Sequence, residues 1–186
     1  MIASMSSVMP LGALALFGVF TIAEPSVVQT SQGGFTDADL TEINAYRLSR
    51  TTLQNVAAAT RVFTATPKTH PEYQALLKVQ RTLEDPGGIT RTEHGSLSEI
   101  EQDVSSVTPM AAALRARGLA PREYVKFLVV LVQGYMVSEL QALGGPGFGR
   151  EMTKGFGETS SANLAFVTAN KAAVVSLFKT IAAFTE

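Results

Sequence analysis

The chain has no cysteine, no tryptophan and only two histidines among its 186 residues. Without cysteine there is no disulfide, no thiolate zinc site, no iron–sulfur cluster and no cysteine nucleophile. His70 and His94 stand in polar segments, and neither has the H-x-x-x-H or E-x-x-H spacing that gathers metal ligands on one helix face. We therefore expect no metal site, no cofactor and no catalytic residue.

The chain also lacks a large excess of positive or negative charge. The chain has 15 Lys and Arg against 16 Asp and Glu, a formal net charge of -1. No overall basic field draws it to nucleic acid, so we predict no nucleic-acid partner. Residues 145–149 read GPGFG, which lacks the G-x-G-x-x-G spacing of a dinucleotide site, and no Gly-Lys-Ser or Gly-Lys-Thr occurs.

Residues 1–23 contain no charged residue, and residues 8–23 read VMPLGALALFGVFTIA. Two interpretations are open. A cleaved signal peptide would place Thr21 and Ala23 before the cleavage site, but the expected Lys or Arg near the start is absent. A retained membrane anchor accounts for that absence more simply, and we favour it. Its candidate membrane contacts are Leu11, Leu14, Leu16, Phe17 and Phe20.

The side of the membrane on which the rest of the chain lies is only weakly encoded. The first positive residue after the leader is Arg47, so the usual charge signal for orientation is weak. A leader that looks like a secretion signal and a domain without cysteine both suit the bacterial periplasm. We therefore predict a membrane-anchored protein with its folded part on the periplasmic side.

The charged part of the chain divides into a linker and a helical domain. Residues 24–35 contain Pro, Ser, Gln and a Gly pair without a helical period, which predicts a linker. Over residues 36–186, apolar residues recur at spacings of three and four, which predicts an all-α bundle of four to five helices. The N-cap signals are Thr36, Ser96 with Glu99 three residues later, and Thr108 before a proline, and Gly118 is the expected left-handed C-cap. With the prolines, these signals place helical segments, of which 97–104 is short, at about 37–65, 71–83, 97–104, 109–117, 121–143 and 162–184.

The segment 124–143 has charges only at Lys126 and Glu139. Such a stretch is typical of a central bundle helix or a membrane span, and its β-branched run also allows a buried strand. Because Gln133, Gly134 and Ser138 interrupt it, we favour the central helix.

Two groups of residues are candidate protein contacts. Residues 144–160 form a long glycine-rich loop in which Phe148 and Phe156 are each flanked by glycine, so each ring either anchors a partner or returns to the core. Arg115, Arg117 and Arg122, with Lys126, form a basic patch that is either plain surface or a docking site for an acidic protein.

Two stretches carry a resemblance: AAALRARGLAPREYV at 111–125 and SANLAFVTANKAAV at 161–174. They resemble segments of small exported helical proteins of bacteria for which no activity is established. The resemblance implies fold and location rather than chemistry. Accessory subunits of photosynthetic reaction-centre and antenna complexes are anchored proteins of a similar kind. Because the leader has no histidine to ligate a pigment, the resemblance to them implies only a structural role.

These features predict a non-catalytic accessory subunit of a membrane protein complex, whose partners are integral membrane subunits and, through residues 1–23, the lipid bilayer. The alternative is a soluble periplasmic helical protein that binds a small apolar ligand in a pocket lined by the 124–143 helix. An enzyme is a third and weaker hypothesis.

Overall fold

A computed structural model describes residues 35–84, 96–144 and 159–185. The predicted anchor contacts, the linker up to residue 34, and both Phe148 and Phe156 lie outside these residues. Over the described ranges the chain forms helices and no strand, so the all-α prediction is confirmed there. The helices are α1 Asp37–Ala45, α2 Arg50–Thr64, α3 Tyr73–Glu84, α4 Leu97–Ser106, α5 Thr108–Arg115, α6 Pro121–Gly144, α7 Ser161–Ala169 and α8 Lys171–Thr185.

The helix predicted over 37–65 is broken in two, and that prediction is wrong. Tyr46 is extended, with φ -68° and ψ 140°, and Ser49 caps the start of α2 by accepting a hydrogen bond from the Thr52 amide. Asn163 of α7 satisfies the polar groups that the break frees. Its Nδ2 donates to the Tyr46 carbonyl at 2.9 Å, and its Oδ1 accepts from the Leu48 amide at 3.0 Å. The break is therefore maintained by a residue far away in the chain.

The helix predicted over 162–184 is also divided. At Asn170 the chain leaves α7, and the axes of α7 and α8 differ by 81°. The Asn170 amide donates to the carbonyls of Phe166 and Val167, and its side-chain Nδ2 donates to the Phe166 carbonyl at 2.8 Å. These bonds satisfy two of the last four carbonyls of α7, those of Phe166 and Val167.

Several predicted caps are confirmed. Thr36 with Asp39, and Ser96 with Glu99, form reciprocal capping boxes. Gly118 has φ +67°, as expected for the residue that ends α5 in a left-handed conformation.

The start of α5 differs from the prediction. Thr108 is the first helical residue rather than the cap, and both its amide and its hydroxyl donate to the Glu72 carboxylate, at 2.6 and 2.8 Å. The Glu72 amide in turn donates to His70 Nδ1 at 3.1 Å. His70 therefore helps to shape the turn before α3, in agreement with its predicted place in a polar segment between two helices.

Helix α6 is the centre of the core and packs against α1, α3, α4, α5 and α7. It is a helix, so the strand interpretation is wrong. It is long and apolar enough to span a membrane, as are α7 and α8 taken together. Core helices have the same composition, and burial accounts for the apolar residues in the first half of α6, whereas Leu143 near its end is 81% exposed. Its buried residues are Tyr124, Val125, Phe127, Leu128, Val129, Val130, Leu131, Gly134 and Val137.

Gly134 allows α6 and α7 to approach closely. A Cβ at this position would lie 3.0 Å from Cγ2 of Val167. The packing of α7 on α6 therefore depends on the missing side chain at Gly134, which the sequence showed only as an interruption of the apolar run.

Candidate binding groove and ion-pair network

Arg122, in the first turn of α6, connects three helices. Its Nε and Nη2 donate to the Glu42 carboxylate of α1, with the shortest distance 2.6 Å from Nη2 to Oε2. Its Nη1 donates to Glu101 Oε2 at 3.1 Å and to Ser98 Oγ at 3.2 Å, both on α4. The planar guanidinium can satisfy all these acceptors at once because its donors form a fork.

Lys126, one turn further along α6, completes this network. Its Nζ donates to Glu42 Oε1 at 2.7 Å and lies 5.6 Å from the centre of the Tyr46 ring. Asp39 Oδ1 lies 3.9 Å from Arg122 Nη2. We refer to Asp39, Glu42, Glu101, Arg122 and Lys126 as the ion-pair network.

Charge and burial shift the pKa values of groups in and beside the network. The hydrogen bonds from Arg122, and then from Lys126, lower the pKa of Glu42 to about 2. The pKa of Arg122 is raised, chiefly by its hydrogen bond to Glu42. Burial raises the pKa of Tyr46 to about 12, with a smaller contribution from the charge of Glu123. With a pKa of about 2, Glu42 stays ionised near neutral pH and keeps its ion pairs with Arg122 and Lys126.

The predicted basic patch is not uniform. The charges of Arg122 and Lys126 are compensated within the domain by Glu42 and Glu101. Arg115 and Arg117 are exposed and form no ion pair with the residues that the structure describes. The uncompensated charge of the patch therefore belongs to Arg115 and Arg117. That Arg115, Arg117 and Arg122 contact a partner protein stays a prediction.

A groove of about 450 Å³ lies between α2 and α8. The helices begin side by side, since Arg50 Nη2 lies 3.5 Å from Oδ1 of Asn170, the residue before α8. On α2, Arg50, Gln54, Ala57 and Arg61 follow the i, i+4, i+7, i+11 spacing of one side of a helix. The groove residues on α2 are Arg50, Leu53, Gln54, Ala57 and Arg61.

The opposite wall of the groove comes from Asn170 and four residues of α8: Ala173, Ser176, Leu177 and Thr180. Leu53 and Leu177 are 3% and 2% exposed, so these two side chains contribute little accessible surface, although more than half of the groove lining is apolar. No Asp or Glu lines it. Arg50 and Arg61 form no ion pair within the described ranges, so this cleft carries two uncompensated positive charges.

This groove is not the pocket that the apolar-ligand alternative predicted. The expected lining was the 124–143 helix, whereas none of the groove residues belongs to α6. The difference has a physical cause: the first half of α6 is covered on all sides by other helices, so its apolar side chains fill the core instead of lining a cavity.

Sequence reasoning missed both the groove and the network. A regular spacing of Arg50, Gln54 and Arg61 was visible, but such a pattern equally describes an ordinary solvent-facing helix side. In the described parts of the chain, no group of three or more His, Asp or Glu side chains could hold a metal ion.

The comparisons with known proteins add no family or fold relative. No protein-family model, no curated protein and no solved structure matches the chain.

Proposed function

We propose that this chain is a non-catalytic accessory subunit of a membrane protein complex. In this proposal residues 1–23 anchor it in the bilayer, the helical domain lies on the periplasmic side, and the domain docks on a neighbouring subunit. The observation that supports docking best is the groove between α2 and α8, where Arg50 and Arg61 lack acidic partners among the described residues.

The ion-pair network is consistent with this role. It joins α1, α4 and α6 by side chains that are about a third exposed or less, and such a network stabilises a fixed arrangement of helices better than isolated surface pairs do. A rigid domain loses little conformational entropy on docking, which favours an assembly role.

The membrane part of the proposal is based on the uncharged residues 1–23. A stretch of 23 residues without charge is long enough to cross the hydrocarbon core as a helix. The resemblance to small exported helical proteins extends the proposal to photosynthetic reaction-centre and antenna complexes, in which the chain would have a structural role.

The alternative of a small apolar ligand is less well supported. The two leucines of the groove floor are almost fully covered, at 3% and 2% exposed, and most other groove side chains are polar. An apolar molecule in this groove would gain little from burial, because the gain is proportional to the apolar area removed from water.

The test is fractionation of the source bacterium that expresses the tagged full chain. We expect the chain in the membrane fraction and, after mild detergent extraction, in a band much larger than its own 19.7 kDa on a native gel. Deletion of residues 1–23 should release it from the membrane. Recovery of a soluble periplasmic protein that begins at Glu24 would refute the proposal.

Two charge variants extend this experiment to the docking surface. Arg50→Gln with Arg61→Gln should leave the chain in the membrane but remove it from the large complex. Arg81→Gln, on the exposed side of α3 and outside the groove, removes a charge of the same type and should leave the complex intact.

A further inference from the structure

We propose that the groove between α2 and α8 binds an extended acidic segment of a partner protein, whose carboxylates contact Arg50 and Arg61. This inference rests on the proposed docking function and names the chemistry of the partner. It is carried by the charges, the spacing and the polarity of the groove.

The charge of the groove selects an anionic partner. Where carboxylates are within reach, an arginine of this domain binds them: Arg122 contacts both Glu42 and Glu101. Arg61 has no such contact among the described residues, and Arg50 reaches only the neutral Asn170 at 3.5 Å. Two guanidinium groups beside a cleft attract carboxylates, which they can bind through paired N–H donors.

The spacing of the arginines indicates how far apart those carboxylates should be. Arg50 and Arg61 are eleven residues apart on α2, which at 1.5 Å per residue corresponds to about 16 Å along the groove. An extended peptide covers about 16 Å in about five residues. A partner segment with two acidic residues about five positions apart can therefore reach both arginines.

The neutral residues of the groove favour a peptide over a hydrocarbon chain. Gln54, Ser176 and Thr180 line the space along the two helices and offer side-chain donors and acceptors. An extended peptide carries one backbone donor and one acceptor at most residues, and these groups need partners when they leave water. The groove supplies such partners beside its apolar surface.

The experiment measures peptide binding to the full chain in a non-ionic detergent. The probe is a fluorescein-labelled nine-residue peptide with blocked ends, two glutamates five positions apart, and serine and alanine elsewhere. We expect fluorescence anisotropy to show saturable binding that weakens as salt is raised, because exposed charges are screened. The control peptide carries glutamine at both acidic positions and should bind about ten- to twentyfold more weakly, because both ion pairs are lost.

Variants of the chain locate the binding site. Arg50→Gln and Arg61→Gln should each weaken binding about three- to fivefold, as expected for the loss of one exposed ion pair. Arg81→Gln should bind like the unchanged protein. Circular dichroism melting checks that each variant is folded, so a loss of binding is attributed to the groove.

Three results would overturn the inference. The first is equal binding of the acidic and glutamine peptides, and the second is unchanged affinity after either groove substitution. The third is failure of the acidic peptide together with binding of vesicles of phosphatidylserine and phosphatidylcholine that requires Arg50 and Arg61, which would identify a membrane surface as the occupant.

The outcome is separable from the proposed function. If the peptide fails but the chain still migrates with a membrane complex, the accessory function stands and docking uses another surface. If the peptide binds while the chain fractionates as a free periplasmic protein, the groove inference stands and the accessory function fails.

Discussion

Two parts of this domain use arginine in opposite ways. In the ion-pair network, Arg122 of α6 contacts carboxylates of α1 and α4, and the pKa of Glu42 falls to about 2. In the groove, Arg50 and Arg61 of α2 face a wall of alanine, serine, leucine and threonine from α8. The same side chain therefore connects helices in one place and leaves a charge available in the other. What differs is the residue that the neighbouring helix brings opposite.

The largest effect is expected at Asn163, which lies between the two regions. Its amide holds the Tyr46 to Leu48 connection, which separates α1 of the network from α2 of the groove. Asn163→Ala leaves the buried Leu48 amide without a partner and leaves the Tyr46 carbonyl only the bond from Arg47 Nη1 at 3.2 Å, so we expect a loss of about 2 kcal/mol in the free energy of unfolding. Urea unfolding measures it. Asn44→Ala, at an exposed position, is the control, and equal losses in the two variants would contradict this assignment.

Arg122→Met should have the next largest effect. The substitution keeps much of the side-chain length but removes the contacts to Glu42, Glu101 and Ser98. Because the contacts form a network that is partly exposed, we expect about 1–2 kcal/mol of destabilisation. Arg117→Met removes an exposed charge without a described partner and should change stability by less than about 0.5 kcal/mol. Similar unfolding midpoints for both variants would show that the network does not stabilise the fold.

The network should also make stability depend on acid. Folding lowers the pKa of Glu42 from 4.5 to about 2, so the unfolded chain takes up a proton first as the pH falls. The stability that Glu42 contributes is therefore complete above about pH 4.5 and is lost between about pH 4.5 and 2. For a side chain 34% exposed we expect only about 1 kcal/mol.

Comparison with Glu42→Gln isolates this contribution. The unchanged protein should be the more stable of the two at pH 7, and the difference should shrink steadily as the pH falls towards 2. Urea unfolding of both proteins at several pH values provides the measurement. A difference that stays constant over this range would mean that Glu42 is not held in the ionised form by Arg122 and Lys126.

The smallest effect on stability is expected in the groove. Because Arg50 and Arg61 are exposed and have no ion pair in the described ranges, Arg50→Gln combined with Arg61→Gln should change the free energy of unfolding by less than about 0.5 kcal/mol. Thermal unfolding of the double variant measures this. Destabilisation as large as that of Arg122→Met would remove the contrast between the two regions.

Much of the secondary structure could be predicted because it depends on neighbouring residues. The capping box of Ser96 and Glu99 joins positions three apart, and Gly118 takes a left-handed conformation that a side chain disfavours. The apolar segment around Tyr124 to Val137 was correctly assigned to a central helix, since its composition leaves no polar side for solvent.

The helix breaks and the groove could not be predicted in the same way. The residues around Tyr46 have an acceptable helical pattern; Ser49 caps α2 locally, but the long-range bonds to the break come from Asn163, more than a hundred positions later. The groove requires α2 and α8 to lie side by side, which neither helix encodes by itself. The basic patch combined arginines that are close in the chain but differ in their partners.

The sequence by itself determined that this chain is helical over its described ranges and where most helices begin, because periodicity and capping act over one or two turns. It also determined the uncharged leader and the absence of thiol chemistry. Only the tertiary structure decided that Arg122 is paired while Arg50 and Arg61 are not. The reason is that an ion pair depends on a distance of a few ångströms between helices, which is set by packing and not by position along the chain.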